Sequence, residues 1–165
     1  ETGTGGCIYD ENGVIYGKDA LAEECHNMPF MNAKIGCLDK MGDYASITGL
    51  VNLYNEKAAE DDKVQYGYEV SHKYLNGDRI AVSSVEEWIR NIVAQLLVIT
   101  VFYNPEVICI GGGISEEDWF IDKVSAQYKK TCIDYFEADF ITTEIDRCKY
   151  NNDANLLGAV IKASL

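Results

Sequence analysis

Asn104-Pro-Glu-Val-Ile-Cys-Ile-Gly-Gly-Gly-Ile-Ser115 is the stretch on which the fold turns. Val107 to Ile110 is a short continuous apolar run with three β-branched residues, the pattern of a strand buried on both faces. Gly111, Gly112 and Gly113 follow at once. Ser115-Glu-Glu-Asp118 then reads as a capping box, with Ser115 as the N-cap of a helix. Strand, glycine turn and helix N-terminus in that order let a backbone approach a nucleotide, because glycine lacks the Cβ that blocks contact and the helix start offers unpaired N–H groups. The same residues also fit a tight strand-to-helix turn with no ligand. A second glycine cluster, Thr2-Gly-Thr-Gly-Gly6, favours the nucleotide reading, although alone it would be an ordinary β-turn.

Immediately upstream, Ser84-Val-Glu-Glu87 is another capping box, and the helix it opens runs to about Tyr103, where Asn104-Pro105 stops it. Trp88, Ile89, Ile92, Val93, Leu96, Leu97, Ile99 and Thr100 make that helix apolar over most of its circumference, which predicts a central helix packed on a sheet. Downstream come a helix over 119–130, an alternating strand over 140–145, and Asn151-Asn-Asp-Ala-Asn155 capping a last helix over 156–163. Asp153 falls in that cap. Nearer the start, Asn12-Gly13 between two β-prone runs, 7–9 and 14–16, predicts a hairpin. Glu23, Glu24 and His26 cluster after it. Residues 27–42 have an irregular pattern and read as a long loop. A helix over 44–54 has Asp43 as its N-cap, residues 56–62 form an acidic solvated stretch, and a helix over 64–75 is weakened by Gly67 and ended by Asn76-Gly-Asp78.

The 165 residues form one domain's worth of chain, with 47% hydrophobic residues and only two prolines. No apolar run reaches the roughly 20 residues a membrane span needs. A net charge of −13 argues against nucleic acid binding through this region, since a phosphate backbone calls for Lys and Arg. The six cysteines stand singly, with no CxxC, which predicts reduced thiols and a cytoplasmic setting rather than a disulfide framework. The first residues already lie inside a motif, so the chain reads as part of a longer protein.

Four segments, taken in order, resemble the second half of the ROK proteins (repressors, open reading frames and sugar kinases). Glu1-Thr-Gly-Thr-Gly-Gly-Cys-Ile8 is similar to the family's phosphate motif G-T-G-I-G-G-G-I, with Glu1 and Cys7 replacing glycines. Glu23-Glu-Cys-His26 resembles the sugar motif E-x-G-H, with Cys25 in place of Gly. Residues 104–115 are similar to N-P-E-V-I-V-I-G-G-G-I-S, and residues 152–159 to G-N-D-A-x-L-L-G-A. The resemblance implies an α/β fold of the RNase H-like/actin-like ATPase kind, a mixed central sheet flanked by helices. In it, residues 1–165 would be the larger C-terminal domain of a sugar kinase for a hexose or glucoside. It implies ATP and Mg2+ as cofactors, with ATP at Thr2, Gly3, Gly5, Gly6, Gly111, Gly112 and Gly113. Glu23 and His26 would bind the sugar, although such a Glu/His pair in a loop can also be simply solvated. His72 has no motif around it and reads as a surface residue.

The family's catalytic base is an aspartate of the N-terminal half. The resemblance therefore implies no catalytic residue in this chain, and the N-terminal half of the same protein as its partner across the cleft. A homodimer is also implied, with residues 89–102 offering apolar surface for it. The family's zinc knot C-x-C-G-x-x-G-C-L-E keeps only Gly36-Cys37-Leu38, and one His with one Cys does not close a tetrahedral site, so no zinc is expected. The family's second sugar-contacting Glu falls at Gly42, with Asp39 and Asp43 as the nearby carboxylates able to replace it. The alternative implied by the same family is a sugar-sensing repressor whose helix-turn-helix lies outside these residues.

Overall fold

The computed structural model describes residues 3–22, 24–32 and 36–164, the side chains at 152, 154, 155, 162 and 164 excepted. It divides into two compact units, residues 1–95 and residues 96–165. Strand pairing is mixed, antiparallel in the first unit and parallel in the second.

The first unit begins with a minimal hairpin, β1 (Tyr9–Asp10) against β2 (Gly13–Val14). The hairpin forms where expected, but its loop residues are Glu11 and Asn12 rather than Asn12-Gly13. The cause is local: the Asp10 carboxylate accepts the Asn12 N–H at 2.7 Å and turns the chain one residue early. Residues 27–42 are not a long loop. They hold β3 (Pro29–Asn32) and β4 (Cys37–Lys40), antiparallel with Phe30 opposite Asp39. One face carries the exposed Met31 and Leu38, while the half-buried Asn32 and Asp39 share the other with Phe30. Covering those polar groups in part is tolerable because each finds a partner. Asn32 Nδ2 donates at 2.8 Å to both Asp39 Oδ2 and the Tyr44 hydroxyl, and that hydroxyl donates to Asp39. These bonds, Tyr44's first, hold the Asp39 carboxyl below its usual range, and the same contact pushes Tyr44 up.

The helix expected over 44–54 is two helices, α1 (Met41–Ala45) and α2 (Ile47–Lys57). Asp43 lies inside α1, so it is not the N-cap. Ser46 is, in extended backbone, its Oγ accepting the Gly49 N–H at 3.3 Å. The break leaves carbonyls at the end of α1, and the buried Trp88 indole N–H lies between two of them, 3.0 Å from Ala45 O and 2.9 Å from Ser46 O. α3 (Gly67–Leu75) starts at Gly67, where a Cβ would come within 2.5 Å of Ile47 Cγ2. Glycine there is a close-approach residue, not a weakness within the helix. The acidic stretch is also more than a solvated face. The Asp62 carboxylate accepts from Tyr54 at 2.6 Å and Lys73 at 2.5 Å, joining α2, the turn Glu60–Asp62 and α3.

α4 (Arg79–Tyr103) begins five residues before Ser84. Asp78 caps it, accepting the Ala81 N–H at 2.7 Å, while Ser84 is buried and donates to Leu53 O at 3.3 Å. Ala81, Val85, Trp88 and Ile92 form its buried stripe at spacings of four, three and four. Within the first unit this stripe meets helices rather than a sheet, as the Ser84 and Trp88 bonds to the α1–α2 region record. Asn104, in left-handed backbone before Pro105, ends α4 where expected.

In the second unit β5 (Val107–Ile110) pairs in parallel with β6 (Glu144–Arg147), Val107 opposite Glu144 and Ile110 opposite Arg147. β5 is not buried on both faces. Ile108 and Ile110 are half-buried, whereas Val107 and Cys109 are exposed, so the strand has one covered face. β6 starts at Glu144, later than the expected 140, after Thr143 Oγ1 bonds Pro105 O at 2.7 Å. α5 (Asp118–Phe136) buries Phe120, Val124, Tyr128 and Cys132, one every fourth residue. Tyr128 and Thr100 share a buried hydroxyl hydrogen bond of 2.6 Å. A 3-10 turn (Asn151–Asp153), which contains Asp153, leads into α6 (Ala154–Ser164).

Candidate functional site

The first cluster lies wholly in the first unit. Thr2 and Glu23, both expected to touch ligand, lie outside the described residues. Of the phosphate-type turn, Gly5 and Gly6 are exposed, and at Gly5 a Cβ would meet nothing within 4 Å. Gly3 is different: a Cβ there would lie 3.5 Å from His26 Nδ1. The expected phosphate turn and the expected sugar histidine are therefore neighbours.

His26 stands in a 3-10 turn (Cys25–Asn27) and is packed between Gly3 and Gly42. A Cβ on Gly42 would fall 2.0 Å from His26 Nδ1, so the glycine at the position of the family's glutamate makes room for this imidazole. Nδ1 is buried and has no hydrogen-bond partner among the described residues, a state that costs about 1–3 kcal/mol. The other ring nitrogen, Nε2, lies 3.5 Å from Asp43 Oδ1, and the Asp43 side chain is 61% exposed. Of the two candidate replacement carboxylates, Asp39 is engaged by Asn32 and Tyr44, while Asp43 stands beside the histidine.

A residue not anticipated as functional joins this cluster. Gln95 of α4 is 5% exposed, and its Nε2 donates to Cys25 O at 2.7 Å and, more loosely, to Thr4 Oγ1 at 3.4 Å. The available signal was an amide on the core-facing side of an otherwise apolar helix, three residues after Ile92.

The second cluster lies in the second unit. Gly112 has φ +89° and ψ 168°, a conformation essentially restricted to glycine. At Gly111 a Cβ would lie 3.2 Å from Cys148 Sγ and 3.4 Å from Asn151 O. Gly113 opens a 3-10 turn (Gly113–Glu116) and faces open space. Ser115 is not the N-cap of α5. Its Oγ turns back to donate to Gly112 O at 2.7 Å and lies 3.5 Å from Asn151 Oδ1, bracing the glycine turn. Burial pushes the Cys148 thiol up, with Cys109 and Asp146 adding to the effect, so this sulfur stays a neutral packing group behind Gly111. The arrangement presents bare backbone at Gly112 and Gly113, with side chains filling only the rear of the turn.

Among the described residues no three His, Cys, Asp or Glu side chains gather into a metal set, and no helix is long and apolar enough to cross a membrane. His72 is exposed, as expected of a surface residue, and its ring lies 3.3 Å from the Asn76 side-chain amide.

The ROK family model matches residues 1–164. A glucokinase of Pyrobaculum calidifontis is 28% identical over 159 residues, covering 92% of this chain and 51% of that protein. The crystal structure of a ROK family protein from Streptococcus pneumoniae in complex with sucrose matches with a TM-score of 0.84 at 27% identity, covering 98% of this chain and 54% of its own. A ROK family glucokinase from Streptomyces griseus in complex with glucose and AMPPNP matches with a TM-score of 0.81 at 22% identity, covering 98% of this chain and 57% of its own. At that identity the likeness speaks for the fold alone. The chain spans about half the length of the curated relatives it matches. A family match over nearly every residue, together with a shared α/β actin-like ATPase fold, identifies the chain as a member of the ROK family.

Proposed function

We propose that the protein is an ATP-dependent sugar kinase acting on a hexose or glucoside, and that this chain is its C-terminal domain. The observation that carries the reading is the adjacency of Gly3 and His26. Phosphoryl transfer requires the donor phosphate and the acceptor hydroxyl to be held together in line, and a phosphate-type glycine against a sugar-type histidine meets that demand. The 28% identity to a glucokinase supports it.

In this reading Thr2, Gly3, Gly5 and Gly6 hold phosphates, and Gly111, Gly112 and Gly113 lie against the nucleotide. Glu23 and His26 bond sugar hydroxyls, the carboxylate accepting and the imidazole doing either. Asp43, beside His26 Nε2, adds the carboxylate that Gly42 cannot. ATP, bound with Mg2+, supplies the transferable phosphoryl group; these residues bind, orient and exclude water. They include no general base, so residues 1–165 alone phosphorylate no sugar. The exposed Val101 and Phe102 at the end of α4 are the apolar surface for a homodimer. A sugar-sensing repressor is the second reading; the retained glycine turn, with its glycine-only backbone at Gly112, favours the kinase.

The test is ADP release by the full-length protein with ATP, Mg2+ and a panel of aldohexoses, N-acetylhexosamines and glucosides. Sugar-dependent ADP formation is expected. No turnover with any sugar, together with sugar-responsive DNA binding, overturns the proposal.

A further inference from the structure

Gln95 has the least expected surroundings in the first unit. A carboxamide on the buried stripe of an apolar helix costs desolvation that a leucine would avoid, unless its polar atoms are bonded. Its one NH2 group has two hydrogens, and they go to two different turns: Cys25 O at 2.7 Å and Thr4 Oγ1 at 3.4 Å. Cys25 is the first residue of the turn that carries His26, and Thr4 lies between Gly3 and Gly5. The bond to Cys25 has good length and the one to Thr4 is slack, so the histidine turn is the anchored end and the glycine turn the adjustable one. Gly3 also sits against the His26 ring, 3.5 Å from Nδ1 by its would-be Cβ, so a movement of the histidine turn reaches the glycine turn by packing as well as through Gln95.

We propose that Gln95 is a positioning residue that locks the glycine turn to the histidine turn, so that a hexose held at His26 tightens the grip on a nucleoside triphosphate. The inference rests on the kinase reading for its ligands but not for the lock itself. By linkage the effect is reciprocal: the nucleotide tightens sugar binding by the same factor.

The experiment uses the full-length protein as wild type and as Gln95→Met, which keeps the length and apolar volume of the side chain and removes both donors. Amide hydrogen exchange without ligand is the first readout. In Gln95→Met the amides at 3–6 and at 25–27 exchange faster together, about two- to tenfold, as expected for loss of a hydrogen bond. If either segment is unchanged, the lock is refuted. The second readout is AMPPNP affinity with and without saturating glucose. Wild type gains roughly fivefold or more from glucose, as coupled sites typically do. Gln95→Met brings that gain near one, while its affinity for AMPPNP alone changes less. An unchanged gain refutes the coupling. Wild-type exchange at 3–6 also slows on adding glucose alone, which decides the matter should the variant fold poorly. Should wild type bind neither glucose nor AMPPNP, the kinase reading fails, and ligand-free exchange still decides the lock.

Discussion

Replacing Gly112 with alanine, beside the same change at Gly113, isolates the chemistry of the second glycine turn. Gly112 holds φ +89° with ψ 168°, where an L side chain is strained by about 1–3 kcal/mol. Gly113 has open space around its Cβ position and no left-handed backbone. The strain at 112 has two outlets. The turn keeps its shape and the protein loses that stability, or the turn relaxes to ordinary φ and loses its nucleotide-binding form. The bracing hydrogen bond from Ser115 to Gly112 O then also lengthens. In the second case the dissociation constant for AMPPNP rises about five- to 150-fold, the same energy expressed as affinity. Urea unfolding and calorimetric titration of the full-length variants separate the outlets. Gly113→Ala should change either quantity by no more than a few tenths of a kcal/mol, the usual scale of an unstrained surface change. Equal effects at the two positions, or no effect at 112 in both assays, would refute the reasoning.

Glu23→Gln should raise the sugar Michaelis constant about ten- to a hundredfold, roughly 1.4–2.8 kcal/mol, and leave that of ATP unchanged. Glu24→Gln should do little, and equal effects would remove the sugar role from Glu23. Trp88→Phe leaves the buried carbonyls of Ala45 and Ser46 without their indole donor and should cost about 1–3 kcal/mol in urea unfolding; a loss below measurement error contradicts the assigned contacts. Lys73 and then Tyr54 hold the Asp62 carboxyl below its usual range, and Asp62 in turn pushes Lys73 up. The Asp62 contribution is present above the unfolded value of about 3.9 and disappears as pH falls through its lower folded value. The Lys73 contribution is present below the unfolded value of about 10.4 and is lost as pH rises through its higher folded value. The urea midpoint of wild type minus that of Asp62→Asn should therefore be flat from about pH 5 to 9 and shrink in acid. A difference independent of pH would mean the carboxylate's charge is irrelevant.

Local signals in the sequence carried through to the structure where nothing tertiary competed with them. Asn104-Pro105 ended α4 because proline restricts its predecessor whatever surrounds it. Helix starts were less legible, since a cap is chosen by what the rest of the molecule buries. Ser84 reads as an N-cap, yet it is drawn into the core against Leu53, and Asp78 takes the role six residues earlier. Ser115 likewise turns back onto Gly112. The strands β3 and β4 were hidden because Met31 and Leu38 are exposed while Asn32 and Asp39 share the covered face with Phe30, so no apolar alternation marks them. For the candidate site, the motifs named a glycine and a histidine, Gly3 and His26, that the structure places side by side. The room that Gly42 makes for His26, and the Gln95 bonds to both turns, join residues far apart in the chain and leave no periodic trace.

In the kinase reading, sugar binds at Glu23 and His26 beside the phosphate-type turn at residues 3–6. A crystal structure of the full-length protein with an accepted hexose and AMPPNP tests it most directly. Sugar hydroxyls are expected within hydrogen-bond distance of the Glu23 carboxylate and the His26 ring, with Asp43 facing the same sugar and the triphosphate against Gly3, Gly5 and Gly6. A hexose seated away from His26, or a triphosphate that leaves those glycines uncontacted, would contradict it.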